Sequence, residues 1–219
     1  AVSTQYLTAN ADSIQPVMGC NLLIYNSLNV KPMKLTGLYD PKFERDNCGF
    51  GLIAHMDGEA SHWLLQTAIT ALARLTHRGA IAADGKTGDG CGLLLKKPDS
   101  FMRAQASELG FTLKDNYAIG MVFLNTNADK AQLARDILVK ECRAEGLDVQ
   151  GWRIVPTDSS ACGVEAFKSV PTIEQIFINP ADGMDDEAFE RHLYIARRRT
   201  EKTIEPNDDV FYVPSLSSH

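Results

Sequence analysis

Tyr117-Ala118-Ile119-Gly120-Met121-Val122-Phe123-Leu124 is an apolar, strand-like run, and it sets the pattern for the second half of the chain. Just beyond it, Asn127 can cap a helix with Leu133, Ala134, Ile137, Leu138 and Cys142 on one face and Gly146 as its stop. A second strand is expected over residues 149–155, so that 117–155 resembles a β–α–β unit, and a third over 173–179 between Pro171 and Pro180. A final helix, about 186–202, carries Phe189, Leu193, Ala196 and Thr200 in one stripe, and Phe211-Tyr212-Val213 begins another strand.

Upstream, Cys48 to Met56 reads as an apolar strand weakened by Gly49 and Gly51. Ser61 can cap a helix running to about Thr76, with Leu64, Leu65, Ala68, Ile69, Leu72 and Leu75 at helical spacing and Gly79 as the stop. A glycine-dense loop (Gly79, Gly85, Gly88, Gly90, Gly92) leads to a short strand at 93–95 and a helix at 98–109. Mixed strands and helices without internal repeats indicate a layered α/β or α+β domain. Residues 1–36 differ from the rest, with Asp12, Lys31 and Lys34 as their charges, and read as a leader, linker or added extension.

Composition removes several function classes. The 219 residues are 44% hydrophobic and 23% charged, ordinary values for a soluble globular protein with a sizeable core. Twenty-two basic against 28 acidic residues give a net charge of −6, which argues against a generic nucleic-acid binder. No stretch approaches the ~18 consecutive apolar residues of a membrane span. The first positive charge is Lys31, so a secretory signal is not expected either. Five cysteines at 20, 48, 91, 142 and 162 include no CxxC pair, leaving no local frame for a zinc ribbon or iron–sulfur cluster. An odd, sparse set of thiols suits a reducing cytoplasm.

Glu44-Arg45-Asp46-Asn47-Cys48-Gly49-Phe50-Gly51 puts a thiol at the head of the first strand, with glycine leaving room for a substrate carbonyl. His55, seven residues along that strand, would lie roughly 23 Å away at ~3.3 Å per residue, too far to act as its base. An amino-terminal cysteine can instead use its own α-amino group, of reference pKa ~7.7–8.0, as general base. That requires cleavage between Asn47 and Cys48. A buried strand cysteine is the other reading of the same residues. His77-Arg78-Gly79 fits helix C-terminal capping better than catalysis. Gly85-Lys86-Thr87 fails as a P-loop because position 80 is alanine, and Gly88, Gly90 and Gly92 lack dinucleotide-binding spacing. Arg197-Arg198-Arg199 reads as a solvated face beside Glu190 and Glu201. Asp185-Asp186-Glu187 reads as an acidic helix start, and no metal site is expected.

Taken together, Leu38-Tyr39-Asp40, Glu44 through His55, Thr76-His77-Arg78-Gly79-Ala80, Ala83 through Gly92 and Ile195-Ala196-Arg197-Arg198-Arg199 resemble a known family. It is the amino-terminal glutaminase domain of glutamate synthase large subunits, with the bacterial NADPH-dependent type most similar, and the resemblance runs from about Gly37 to the end. It implies an α+β class II glutamine amidotransferase with the N-terminal-nucleophile hydrolase fold, a four-layer αββα sandwich. It implies Cys48 as catalytic nucleophile, Asn47 and Cys48 as the cleavage site, and Arg78, Gly79 and Asp89 in support. The loop from Asp84 to Gly92 would be architectural or pocket-lining. Residues 1–47 would be a leader or propeptide, and 48–219 the amino-terminal part of the type-2 amidotransferase domain.

The same resemblance implies L-glutamine as substrate, and as partners the remainder of the large subunit and a small reductase subunit. Neither nucleic acid nor membrane is an implied partner, and the implied location is cytoplasmic. No cofactor is expected in this segment; the full enzyme would carry FMN and a 3Fe-4S iron–sulfur cluster, with NADPH used through the reductase subunit. Family members place the glutamine-carboxylate arginine in an Arg-Phe-Ser-Thr segment and the oxyanion donors in an Asn-Gly pair, and neither occurs here. Loss of one oxyanion donor costs ~10²–10³ in rate. The expectation is therefore part of a larger enzyme, inactive or nearly so alone, with a sandwich left incomplete. Alternatives are a non-catalytic α/β binding or assembly domain and, more weakly, an unrelated cytosolic thiol hydrolase.

Overall fold

Residues 50–75, 79, 81–88 and 90–219 are described by the computed structural model. In chain order the elements are α1 (His62–Ala73), α2 (Asp99–Glu108), β1 (Ala118–Leu124), α3 (Ala128–Ala144), β2 (Asp148–Ile154), β3 (Thr172–Asn179), α4 (Asp186–Ile204) and β4 (Tyr212–Ser217). They fall in two compact units: one of Gly92–Ser159 with Val170–His219, the other containing the described residues before Gly92 together with Ser160–Ser169.

The first unit is organised by β1, an unbroken apolar run, and β3, which mixes Ile173, Ile176, Phe177 and Ile178 with buried Glu174, Gln175 and Asn179; both are buried along nearly their whole length. They pair antiparallel from Ala118↔Ile178 to Leu124↔Thr172. Strand β4 flanks β1 and β2 flanks β3, each antiparallel and each with an irregular register, giving the order β2-β3-β1-β4. The expected β–α–β unit is thus split. Strands β1 and β2 are parallel but β3 lies between them, and β3 and β4 are likewise separated by β1. Two interleaved split units make the βαββαβ topology called ferredoxin-like.

Alternation along the strands divides the core. Ala118, Val122, Leu124, Ile176 and Ile178 face α3 and α4, which supply Ala131, Ala134, Leu138 and Cys142, and Phe189, Leu193 and Ala196. Ile119 and Phe177, on the opposite face, pack with Met102 and Ala106 of α2. The α+β class is therefore present. The described residues form one sheet with helices on its faces, however, and not the two stacked sheets of an αββα sandwich.

Local chemistry explains the boundaries. Asn127 accepts from the Lys130 amide at 3.1 Å and Asp185 from the Ala188 amide at 2.7 Å, capping α3 and α4. Gly146, at φ +75°, ends α3: its amide donates to Arg143 and that of Leu147 to Cys142, the paired bonds that satisfy the last carbonyls. Leu133 differs from expectation. It is 59% exposed, while Ala131 takes the place on the buried stripe.

Gly151 is a position of forced close approach. A Cβ there would sit 2.4 Å from the Phe111 ring, which packs on Phe177 at a centroid distance of 5.6 Å. Gly151→Ala is expected to displace Phe111 and cost about 1–3 kcal/mol, the usual cost of overpacking. A urea-unfolding midpoint equal to wild type would refute that packing.

The second unit corrects two expectations. Residues 50–56 form no strand: Phe50 is 94% exposed and no described strand pairs with the segment, so its backbone has no ladder to join. The 23 Å separation of His55 from Cys48, which assumed that strand, therefore lapses. Residues 93–95, which belong to the first unit, likewise make no strand beyond a bridge at Leu93. Helix α1 starts where Ser61 accepts from the Leu64 amide and stops at Ala73, before the expected Thr76. None of its residues is buried.

Candidate functional site

Of the residues singled out in the sequence, Asn47, Cys48, Arg78 and Asp89 lie outside the described residues. Gly79 is an exposed bend. Between these positions, residues 81–88 form a tight hairpin. Ile81 pairs with Gly88, the Ala82 amide donates to Thr87 at 2.7 Å, and the Gly85 amide donates to Ala82 at 3.0 Å. Gly85 is at φ +69°, a conformation glycine adopts without strain.

Asp84 is the hub of this hairpin. One carboxylate oxygen accepts from the amides of Lys86 and Thr87 at 3.0 and 2.8 Å. The other accepts from the Thr87 hydroxyl at 2.6 Å and the Glu165 amide at 3.1 Å. The Thr87 oxygen in turn accepts from the Ala166 amide at 3.2 Å. Residues 81 and 79 positions apart are thus joined through one carboxylate and one hydroxyl. Gly163 completes the joint: a Cβ there would lie 2.3 Å from both Asp84 Oδ2 and Thr87 Oγ1. Sequence reading treated 84–92 as an architectural or lining loop and missed the clamp to 163–166. An available signal was the Asp-Gly-Lys-Thr spacing, in which an aspartate bonds the backbone two and three residues on.

The Thr87 hydroxyl, then the Lys86, Thr87 and Glu165 amides, hold the Asp84 carboxyl well below the usual carboxylate range. Because the folded value is depressed, its contribution is complete above the unfolded pKa of ~3.9 and is lost only as pH falls through the folded value. The side-chain carboxyl carbon of Asp84 is therefore expected to show no NMR titration between pH 7 and about pH 3.5. A midpoint near the ordinary value would mean the clamp does not form in solution.

The other candidate groups have structural partners. Burial pushes the Cys142 thiol up to about 12 and also raises Cys91, so neither is an activated nucleophile. Arg197 and Arg198 both bond Glu201, and Arg199 pairs with Glu145, as a solvated salt-bridged face predicts. Asp185 caps α4, Asp186 accepts from Asn116 at 2.7 Å, and Glu187 pairs with Arg191. Among the described residues no group of three or more His, Cys, Asp or Glu side chains could hold a metal ion, and no helix is long and apolar enough to cross a membrane.

The chain matches the class II glutamine amidotransferases over residues 48–219, and the protein belongs to that family. Within that class it is similar to the NADPH glutamate synthase large chain of Bacillus subtilis, 38% identical over 186 residues, 84% of this chain and 12% of that one. The corresponding Azospirillum brasilense chain is 38% identical over 193 residues, 87% and 13% respectively. The chloroplastic ferredoxin-dependent glutamate synthase of Oryza sativa subsp. japonica is 36% identical over 179 residues, 80% and 11%. The chain thus spans between a tenth and a seventh of the length of these relatives.

Proposed function

We propose that the chain is the nucleophile-bearing part of the glutaminase domain of a glutamate synthase large chain, in which Cys48 attacks L-glutamine. The observation that carries this reading is that the family match begins at residue 48, the residue that must become amino-terminal if its own amine is to serve as base. The raised pKa values of Cys91 and Cys142 support it, because those thiols stay protonated near neutral pH.

In the proposed reaction Cys48 Sγ adds to the side-chain amide carbon of glutamine while its α-amino group takes the thiol proton. The carbon–nitrogen bond then breaks and ammonia leaves with that proton. Water attacks the resulting γ-glutamyl thioester, the carbon–sulfur bond breaks, and glutamate departs with the thiol restored. Arg78, Gly79 and Asp89 support the site from the segments flanking the hairpin. A sandwich of two sheets would be completed by segments beyond the sheet described above.

In the full enzyme, the ammonia would be added reductively to 2-oxoglutarate, with FMN supplying the reducing chemistry. FMN, the 3Fe-4S cluster and the NADPH-using reductase subunit belong to the rest of that enzyme. The described residues do not fit the iron–sulfur cluster, so no step here passes through it. The glutamine-carboxylate and oxyanion segments are absent from the sequence, and this chain alone is expected to hydrolyse glutamine weakly or not at all. The reading is tested by the intact mass of the large chain produced in its native host. Loss of residues 1–47, with Cys48 amino-terminal, is expected; a mature chain retaining Asn47 contradicts it.

A further inference from the structure

Asp-Gly pairs occur in the sequence at 57–58, 84–85, 89–90 and 182–183. Such a pair can rearrange without a catalyst. The glycine amide nitrogen attacks the aspartate carboxyl carbon, water leaves, and a five-membered succinimide ring closes. Water then reopens the ring. Attack at the side-chain carbonyl restores aspartate; attack at the main-chain carbonyl leaves isoaspartate, with the chain running through the side-chain carbon. Glycine favours closure because it has no Cβ to crowd its nitrogen. The carboxyl must also be free to turn toward that nitrogen, and it reacts in its neutral form, since an ionised carboxylate is a poor electrophile.

Asp89 lies outside the described residues. Of the other three pairs, the structure restrains two. Both oxygens of Asp84 are engaged, by the amides of Lys86, Thr87 and Glu165 and the Thr87 hydroxyl, and the Gly85 amide donates to Ala82. The Asp182 side chain is 99% exposed, yet Lys114 Nζ holds it at 2.7 Å and is itself anchored on the Pro180 carbonyl at 2.7 Å. The hydrogen bond from Lys114, then its charge, lowers the Asp182 pKa and keeps that carboxylate ionised. Exposure alone therefore does not decide which pair reacts.

Asp57 lies in an exposed turn beside Met56. Among the described residues its carboxylate has neither a hydrogen bond nor an ion pair. The Gly58 amide makes one bond, to the His55 carbonyl at 3.1 Å, outside any helix or strand, where opening costs least. We propose that Asp57-Gly58 is a site of spontaneous isoaspartate formation in the folded protein, and the fastest of the three described pairs. The product carries an extra main-chain methylene and a free α-carboxylate in the turn that precedes Ser61, the cap of α1.

The test follows the full-length large chain during warm incubation at neutral pH, once folded and once in guanidinium chloride. Isoaspartate at each pair is read by peptide mapping with electron-transfer fragmentation, which separates the two isomers of equal mass. Each folded rate is divided by the denatured rate of the same pair, so that local sequence cancels and only the effect of structure is left. The ratio at 57–58 is expected to exceed that at 182–183 by at least threefold and that at 84–85 by at least tenfold. A smaller lead over either pair, or no isoaspartate at Asp57 in the folded chain, overturns the proposal.

Discussion

Replacing Cys48 by alanine in the full-length enzyme is expected to lower glutamine-dependent glutamate formation by at least ~10⁴-fold, about 5.5 kcal/mol of barrier. Ammonia-dependent formation should change little, because in the proposed reaction ammonia would enter after the thioester steps. The size follows from the role proposed for the residue, that of the attacking nucleophile. Without the sulfur no thioester forms, and the α-amino group of an alanine has no thiol proton to take. Cys48→Ser is the finer probe. It keeps a nucleophile beside the same amine, but a hydroxyl has a far higher pKa than a thiol, so activity should lie between alanine and wild type. A Cys48→Ala enzyme with more than a tenth of wild-type glutamine-dependent kcat would exclude Cys48 as the nucleophile.

The largest stability effect is expected at Phe189. Its side chain is fully buried between α4 and the sheet, in the cluster that includes Val122, Ile176, Leu138 and Leu193. Truncation to alanine removes the apolar ring and leaves a cavity that rigid strands on one side and two packed helices on the other cannot close. A loss of about 3–5 kcal/mol is expected from urea unfolding. Leu133→Ala is the matched control. Helical periodicity alone places Leu133 on the apolar face of α3, yet it is largely exposed, and its truncation should stay within about 0.5 kcal/mol. Comparable losses at the two positions would mean that α3 is rotated from the orientation described here.

That pair also marks what the sequence makes legible. Helix caps at Ser61, Asn127 and Asp185, the Gly146 stop and the stripe Phe189-Leu193-Ala196-Thr200 are local signals, and each governs an element close to where the sequence places it. Leu133 and Ala131 are a near miss. A large side chain scores higher in a periodicity argument, but close packing of α3 on α4 and the sheet admits a methyl group at position 131. The order β2-β3-β1-β4 was not legible, because a β–α–β sequence pattern is the same whether a third strand inserts between the two or not. The segment 50–56 reads as a strand on apolar content, yet strand formation depends on a partner that content does not reveal.

The candidate site divides in a similar way. Cys48, Arg78, Gly79 and Asp89 come from the resemblance, since a lone cysteine or a His-Arg-Gly helix end carries no chemistry by itself. The clamp had a local half, Asp84 to Thr87, that the Asx-turn spacing could have disclosed. Its other half, the amides of Glu165 and Ala166, offers no sequence signal, because a backbone amide is present at every residue but proline.

The central claim is tested most directly by treating the full-length enzyme with a chloromethyl ketone analogue of L-glutamine and mapping the adduct by peptide mass spectrometry. The account predicts a single stoichiometric adduct on Cys48, present as the amino-terminal residue, blocked by excess glutamine and absent from Cys48→Ala. An adduct on Cys91, Cys142 or Cys162 that glutamine also blocks, or equal labelling of the Cys48→Ala enzyme, would contradict it.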